Sequence, residues 1–251
     1  MTIRVGLLGF GRTGKAVAGE IINDPQCSLE WVVRRTPVEG EVFASQLLGL
    51  NDHSSPMFST DDVDDDFFTR YPVDALIDFS SEHGTHFYDR AAEAGVKIIS
   101  AISNYPIEKK KYLKSLSEKT AVLHSPNITL GINWLLVASK ILKQIAPEAD
   151  IEIVEEHFRD KKDKSGTAMK IAEKLGLDAK EHVNSIRVGG IVGKHEVIFG
   201  LPNQTIRLIH ESINRAAFGR GAIFAAKWLR DKDSGLYSME QAIEERFAAN
   251  L

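Results

Sequence analysis

The chain has 251 residues, 43% apolar and 26% charged, with one cysteine and a net charge of -4 from 31 Lys and Arg against 35 Asp and Glu. At about 150 residues per domain this suits one or two globular domains, excludes disorder and collagen-like structure, and leaves no global basic footprint for nucleic acid or an anionic membrane. No apolar run approaches the ~18 residues of a membrane span, the N-terminus lacks a signal-peptide cleavage pattern, and a lone Cys27 excludes an internal disulfide or a Cys-rich metal site, so a cytoplasmic enzyme without a resident metal is expected.

In the first half, short apolar runs alternate with helical patterns. Strands are predicted at Ile3–Leu8, Leu29–Val33, Val73–Phe79, Val96–Ser100 and Ala121–His124, and helices at Thr13–Asn23, Gly84–Ala94 and Ile107–Glu118. Strands spaced by helices imply crossover units and a parallel sheet. The second half has a different pattern. A helix at Asn133–Ile145 precedes the alternating segment ADIEIVEEHF, and a helix follows at Thr167–Leu175. Strand-like stretches at Ser185–Val192, His195–Gly200 and Gln204–Glu211, joined by short turns, predict an open antiparallel or mixed sheet. Helices are expected again at Ala222–Leu229 and Ser238–Phe247. The fold class is therefore α/β: a Rossmann-type dinucleotide-binding domain (residues 1–127 and 216–251) and an inserted α+β domain (128–215) for substrate and oligomerisation. The acidic run Asp61–Asp66 lacks the glycine and spacing of a calcium loop and reads as a solvated loop.

The sequence Gly9-Phe10-Gly11-Arg12-Thr13-Gly14 stands between the first strand and the first helix. Gly9 suits the tight turn, Gly11 a close backbone approach to a pyrophosphate, and Gly14 close packing of helix on strand. The helix N-terminus then offers N–H groups to phosphates. The same residues nearly make a P-loop, but Ala16 stands where a magnesium-binding Ser or Thr is needed. At the end of the second strand, where an acidic residue would favour NAD, stand Arg34 and Arg35. Two guanidinium groups suit a 2′-phosphate, so NADPH is expected to be preferred over NADH.

The most informative stretch runs from Glu152 to Gly176. His157 shares a strand face with Ile151, Ile153 and Glu155, and Lys161 follows shortly. Ser165 suits the N-cap, and Gly166 and Thr167 would expose N–H groups at the positive helix end, a ready site for a carboxylate. A histidine and a lysine beside an anion cradle can protonate and polarise an acidic imine-type substrate.

These residues resemble the signature of the dihydrodipicolinate reductase family. The family's E-x-H-H-x-x-K strand end corresponds to Glu155-Glu156-His157-Phe158-Arg159-Asp160-Lys161, and its D-A-P-S-G-T-A loop to Asp163–Ala168. Ala75–Ser80 resembles its I-D-F-[ST] strand, Ser125–Asn133 its A-P-N hinge, and Ala216–Trp228 its F-A-x-G-A-x-x-A-x-x-W helix. The resemblance covers essentially the whole chain. It implies an oxidoreductase of the diaminopimelate–lysine pathway that reduces the dihydrodipicolinate ring to tetrahydrodipicolinate with NADH or NADPH. It further implies His157 as acid/base, Lys161 as proton donor or polarising ammonium, and Ser165, Gly166 and Thr167 at a small dicarboxylate substrate. Ser100-Ala101-Ile102 would face the nicotinamide, Ser125-Pro126-Asn127-Ile128 would close over the cofactor, and four copies would assemble through the open sheet.

Three departures stand out. The family's second histidine is Phe158, the Ser-Gly-Thr loop is one residue shorter, and the G-T-T-G nicotinamide loop reads Ser100-Ala101-Ile102-Ser103. The changes at Phe158 and Ser100–Ile102 favour, as an alternative, another NADPH-dependent imine or amino-acid dehydrogenase on this scaffold; a non-catalytic nucleotide-binding regulator is the other reading, and the retention of His157 and Lys161 argues against it. His83 and His86 have a zinc-like gap but no further ligands, and read as part of a helix start. His195 and His210 are expected at a surface or interface, Trp134 and Trp228 in the core, and Cys27 in a loop.

Overall fold

A computed structural model of the chain describes residues 2–37 and 39–250. The chain divides into two compact units, Met1–Thr129 with Phe218–Ala242, and Leu130–Ala217 with Ile243–Leu251. The last segment therefore groups with the second unit, whereas the sequence reading kept it with the first.

The first unit is built on a seven-stranded sheet. Its strands are β1 (Ile3–Leu8), β2 (Cys27–Arg34), β3 (Met57–Ser59), β4 (Ala75–Asp78), β5 (Lys97–Ser100), β6 (Ala121–His124) and, from the far end of the chain, β11 (Gly235–Tyr237). The spatial order is β11-β6-β5-β4-β1-β2-β3, and every pairing is parallel. β1 is fully interior to this order, and its apolar residues Val5, Leu7 and Leu8 are buried, as a strand covered on both faces requires. The order reverses between β1 and β4, which makes the crevice beyond their carboxyl ends a topological switch point. Trp31, Phe67 and Phe68 pack edge-to-face at centroid distances of 5.0–5.8 Å. This cluster, with Val63, anchors the acidic run from below, while Asp64 and Asp65 pair with Arg70 and Arg90 on the surface.

The predicted helix at Gly84–Ala94 is split into a 3-10 turn, Glu82–Phe87, and an α-helix, Tyr88–Glu93. Glycine at position 84 lets this turn approach β4 closely: a Cβ there would lie 2.0 Å from Asp78 Oδ2. Cys27 begins β2 rather than lying in a loop, and burial pushes its thiol up to about 11, which leaves it unreactive.

The second unit holds a four-stranded sheet of β7 (Asp150–His157), β8 (Val183–Arg187), β9 (Lys194–Leu201) and β10 (Gln204–Glu211), in the order β10-β9-β7-β8. It is mixed. β9 pairs antiparallel with β7 and β10, whereas β8 runs parallel to β7 because the helix Gly166–Lys174 makes the crossover between them. Along β7 every second residue is buried, from Ile151 to His157. Ile151 and Ile153 join Ile132, Leu135, Ile171 and Phe199 in the core beneath the helices. Trp134 is not part of it: it is 45% exposed and packs against Phe247. Trp228, in the first unit, is half-buried against Tyr237. On the other face of the sheet Ile209 is 55% exposed.

Candidate active site

The glycine loop takes the conformation its residues suggest. Gly9 has φ +96°, and a Cβ on Gly14 would lie 2.1 Å from the Gly9 carbonyl oxygen. Only glycine satisfies both constraints. A Cβ on Gly11 would meet nothing within 4 Å, so the backbone there is open to a ligand. Gly11 caps the helix Arg12–Asn23 without a side-chain hydrogen bond, and the first-turn N–H groups have no intrahelical acceptors. Phe10 is buried beneath the turn, and Thr13 faces a cavity of about 420 Å³. Ala101, Ile102, Pro126 and Ile128 line the same cavity, as do Phe79 and Ser80.

Ser100 and Ser125 turn inward instead. Ser100 is fully buried with its Oγ 2.8 Å from Tyr105 Oη, and Ser125 Oγ donates to the Asn127 carbonyl at 2.7 Å. A second cavity, about 210 Å³, is lined by Leu8, Val33, Arg34, Arg35, His83 and His86. Arg34 donates to the Pro37 carbonyl at 3.2 Å, while its buried Nε has no partner. An orphaned guanidinium N–H in a cleft beside the glycine turn fits an anionic ligand group. His83 and His86 share this cavity, with ring centres 6.0 Å apart. Among the described residues no group of three or more His, Cys, Asp or Glu side chains is placed to hold a metal ion.

Beneath these loops runs a polar chain that joins Asp78 and Ser80 of the I-D-F-[ST] segment to Ser100 through Tyr88 and Tyr105, which no sequence motif announced. Ser80 N–H and Oγ donate to Asp78 at 2.7 and 2.6 Å, and Tyr88 Oη donates to its other oxygen at 2.7 Å. Tyr105 Oη lies 3.3 Å from Tyr88 Oη and continues the chain to Ser100. Burial pushes the Asp78 carboxyl up to about 6 against these hydrogen bonds.

In the second unit, β7 brings Glu155 and His157 to one buried face. His157 Nδ1 meets Glu155 Oε2 at 2.5 Å. Glu155 also accepts from Arg187 at 2.6 and 2.7 Å, from Ser185 Oγ at 2.7 Å and from the Ser165 N–H at 3.2 Å. Burial alone would raise its carboxyl. The hydrogen bonds, led by Arg187, overcome burial and hold it at about 2. With Nδ1 committed, Nε2 is the nitrogen left for chemistry. A Cβ on Gly193 would lie 3.1 Å from that Nε2, so glycine keeps the approach clear.

Arg187 further donates to the carbonyls of Lys161 and Asp163 at 3.0 and 2.9 Å, which ties the loop carrying Lys161 to Glu155. Lys164 is committed to the carbonyls of Ala179 and Val183. Ser165 caps the helix as expected, accepting from Ala168 N–H. Gly166 is exposed, Thr167 half-buried, and Phe158 44% exposed. His195 is not at the surface: it is 6% exposed, with Nε2 2.8 Å from Ser165 Oγ. The signal was the period-two pattern, which puts His195 in phase with the buried Val197 and Phe199.

The matching family models are dihydrodipicolinate reductase, N-terminus, over residues 3–128, and dihydrodipicolinate reductase, C-terminus, over residues 131–243. The chain belongs to the dihydrodipicolinate reductase family. Curated relatives include the 4-hydroxy-tetrahydrodipicolinate reductases of Methylococcus capsulatus, 29% identical with 97% of this chain and 98% of that one covered, and of Rickettsia bellii, 30% identical with 95% and 94% covered. That of Archaeoglobus fulgidus is 35% identical over 72% of this chain and 80% of its own. The fold is shared with a dipicolinate-bound dihydrodipicolinate reductase from Paenisporosarcina sp. TG-14, at a TM-score of 0.78 and 20% identity over 96% of this chain and 99% of that one. A C. glutamicum DAP dehydrogenase aligns over 100% of both chains at a TM-score of 0.60 and 13% identity, a likeness of scaffold. The enzyme is thus an oxidoreductase on a nucleotide-binding fold, and among the described residues no helix is long and apolar enough to cross a membrane.

Proposed function

We propose that the enzyme reduces 4-hydroxy-tetrahydrodipicolinate to tetrahydrodipicolinate, the 4-hydroxyl leaving as water, with NADPH in preference to NADH. The observation that carries this reading is the Glu155–His157 pair beside the Ser165–Thr167 helix start, within the part of the chain that matches the family's C-terminal region. Gly9–Gly14 suit a cofactor pyrophosphate, and Arg34 with Arg35 its 2′-phosphate. When bound, the reduced nicotinamide supplies the hydride. This chain's residues do the remainder. Gly166 and Thr167 hold a substrate carboxylate at the positive helix end. His157, its Nδ1 held by Glu155, exchanges a proton through Nε2, and Lys161 adds a cation that draws electron density toward the substrate nitrogen. The open face of the β10-β9-β7-β8 sheet, with Ile209 exposed, supports assembly as a homotetramer, since an uncovered apolar sheet face favours burial against another copy.

Phe158, exposed where the family has a second histidine, favours a related cyclic imine as the alternative substrate, because an unmatched polar contact alters specificity. The deciding experiment is a coupled assay with enzymatically generated substrate and NADPH. Turnover is expected, and His157→Gln and Lys161→Ala should each lower kcat/KM by about a hundredfold or more. Tight NADPH binding without turnover of this substrate would refute the assignment in favour of the alternative.

A further inference from the structure

His195 lies outside the segments that carry the family resemblance in the sequence, yet it touches both Ser165 and His157. Its register places it directly opposite Glu155 on the neighbouring strand. Its Nε2 lies 2.8 Å from Ser165 Oγ, and its ring stands edge-on to that of His157, with centres 5.3 Å apart at 79°. Burial, reinforced by the facing His157, draws the ring down to about 4, so it is neutral at pH 7. Ser165 Oγ accepts from the Ala168 N–H at 3.5 Å. A hydroxyl that accepts on one side has its proton to give on the other, and a neutral imidazole nitrogen can take it. A phenyl ring would fill the same space but leave the buried hydroxyl without that partner.

We propose that His195 is a positioning residue of the substrate site: it fixes the Ser165 cap, and with it the first turn Gly166–Ala168, while its ring sets the plane of His157. The inference rests on the reading of Gly166 and Thr167 as the holders of a substrate carboxylate.

Three variants test it. His195→Phe keeps ring volume and removes the nitrogen. His195→Gln places an amide near the position of Nε2. Ser165→Ala removes the hydroxyl. His195→Phe should raise the KM for the dicarboxylate substrate about five- to tenfold, the worth of one buried hydrogen bond, with the KM for NADPH unchanged. His195→Gln should recover most of that loss. The double variant His195→Phe/Ser165→Ala should lose no more than Ser165→Ala alone, because both remove one shared bond. An unchanged substrate KM in His195→Phe, equal losses in the Phe and Gln variants, or additive losses in the double variant each overturn the proposal. If the wild type does not turn over the substrate, the functional reading fails separately. Amide hydrogen exchange then decides the matter: exchange at residues 166–168 should be faster in His195→Phe than in His195→Gln, and equal rates overturn the proposal.

Discussion

Replacing Glu155 by Gln removes the negative charge at the centre of the cluster that holds His157, Arg187 and Ser165. The carboxylate accepts two hydrogen bonds from Arg187 and one each from Ser185, His157 and the Ser165 N–H. A glutamine of equal size turns an NH2 toward at least one of these donors and leaves Arg187 without its counter-charge. Two routes give the magnitude. The carboxyl is held at about 2 against the ordinary 4.5, which at about 1.4 kcal/mol per unit sets an upper value near ~3 kcal/mol. Breaking a buried ion pair costs about 3–5 kcal/mol, but the Arg187 side chain retains 20% of its exposure, which screens part of that loss. About 2 kcal/mol at pH 7 is the resulting expectation, a fall in Tm of about 4–8 °C for a chain of this size. The sign follows from the depressed carboxyl: this stabilisation is complete above pH 4.5 and declines as pH falls toward 2, so the gap between wild type and variant should close over that window. The assay is thermal unfolding by circular dichroism at pH 7 and at successively lower pH. A Glu155→Gln variant that melts within 1 °C of wild type at pH 7, or a gap that widens on acidification, would refute the reasoning.

Arg34→Ala should raise the KM for NADPH at least about tenfold, the scale of a charge-assisted hydrogen bond, and leave the KM for NADH nearly unchanged; a wild-type kcat/KM higher for NADH than for NADPH removes the basis for the preference. Sedimentation should give a species near four times 27.8 kDa, reduced in size by Ile209→Asp, and a monomeric wild type at micromolar concentration contradicts assembly through the open sheet. Asp78 behaves oppositely to Glu155: its carboxyl is raised from 3.8 to about 6, so wild-type stability is lost between about pH 4 and 6, where only the unfolded state is ionised, and levels off above. Asp78→Asn should therefore gain in Tm relative to wild type as pH rises from 4 to 6 and hold that gain at higher pH, and a flat or falling difference between pH 4 and 6 in unfolding scans contradicts this.

The first unit was largely legible in the sequence because its signals are local. Buried strands such as Ile3–Leu8 appear as apolar runs, and the glycine loop is written in consecutive residues. The two strands that escaped, β3 and β11, have three residues each, too few for any period to declare itself. Both are edges of the sheet, where partner strands rather than their own residues define them. The parallel β7–β8 pair was hidden for another reason. The turns around β9 and β10 carry hairpin chemistry, but only the length of the segment containing Gly166–Lys174 distinguishes a crossover from another hairpin.

The catalytic candidates His157 and Lys161 were visible because they stand in one short segment, whereas the groups that hold them are distant in the chain. Arg187 and Ser185 reach Glu155 from about 30 residues away, and Tyr88 and Tyr105 meet Asp78 and Ser100 only once the crossover from β4 to β5 has formed. Buried polar networks of this kind have no sequence period, since each member obeys the pattern of its own element. Their energetics are equally non-local. Asp78 and Glu155 are both fully buried carboxyls with several hydrogen bonds, and an isolated reading would treat them alike. Asp78 is surrounded by neutral donors, so burial prevails and its proton is held more tightly. Glu155 faces a guanidinium, and the hydrogen bonds from Arg187, Ser185, His157 and the Ser165 N–H together overcome its desolvation. The difference lies in the partner that each strand register delivers. That is why β7 can keep a charged Glu155 hydrogen-bonded to His157, while the floor beneath the glycine loop is built from groups that tolerate losing their charge.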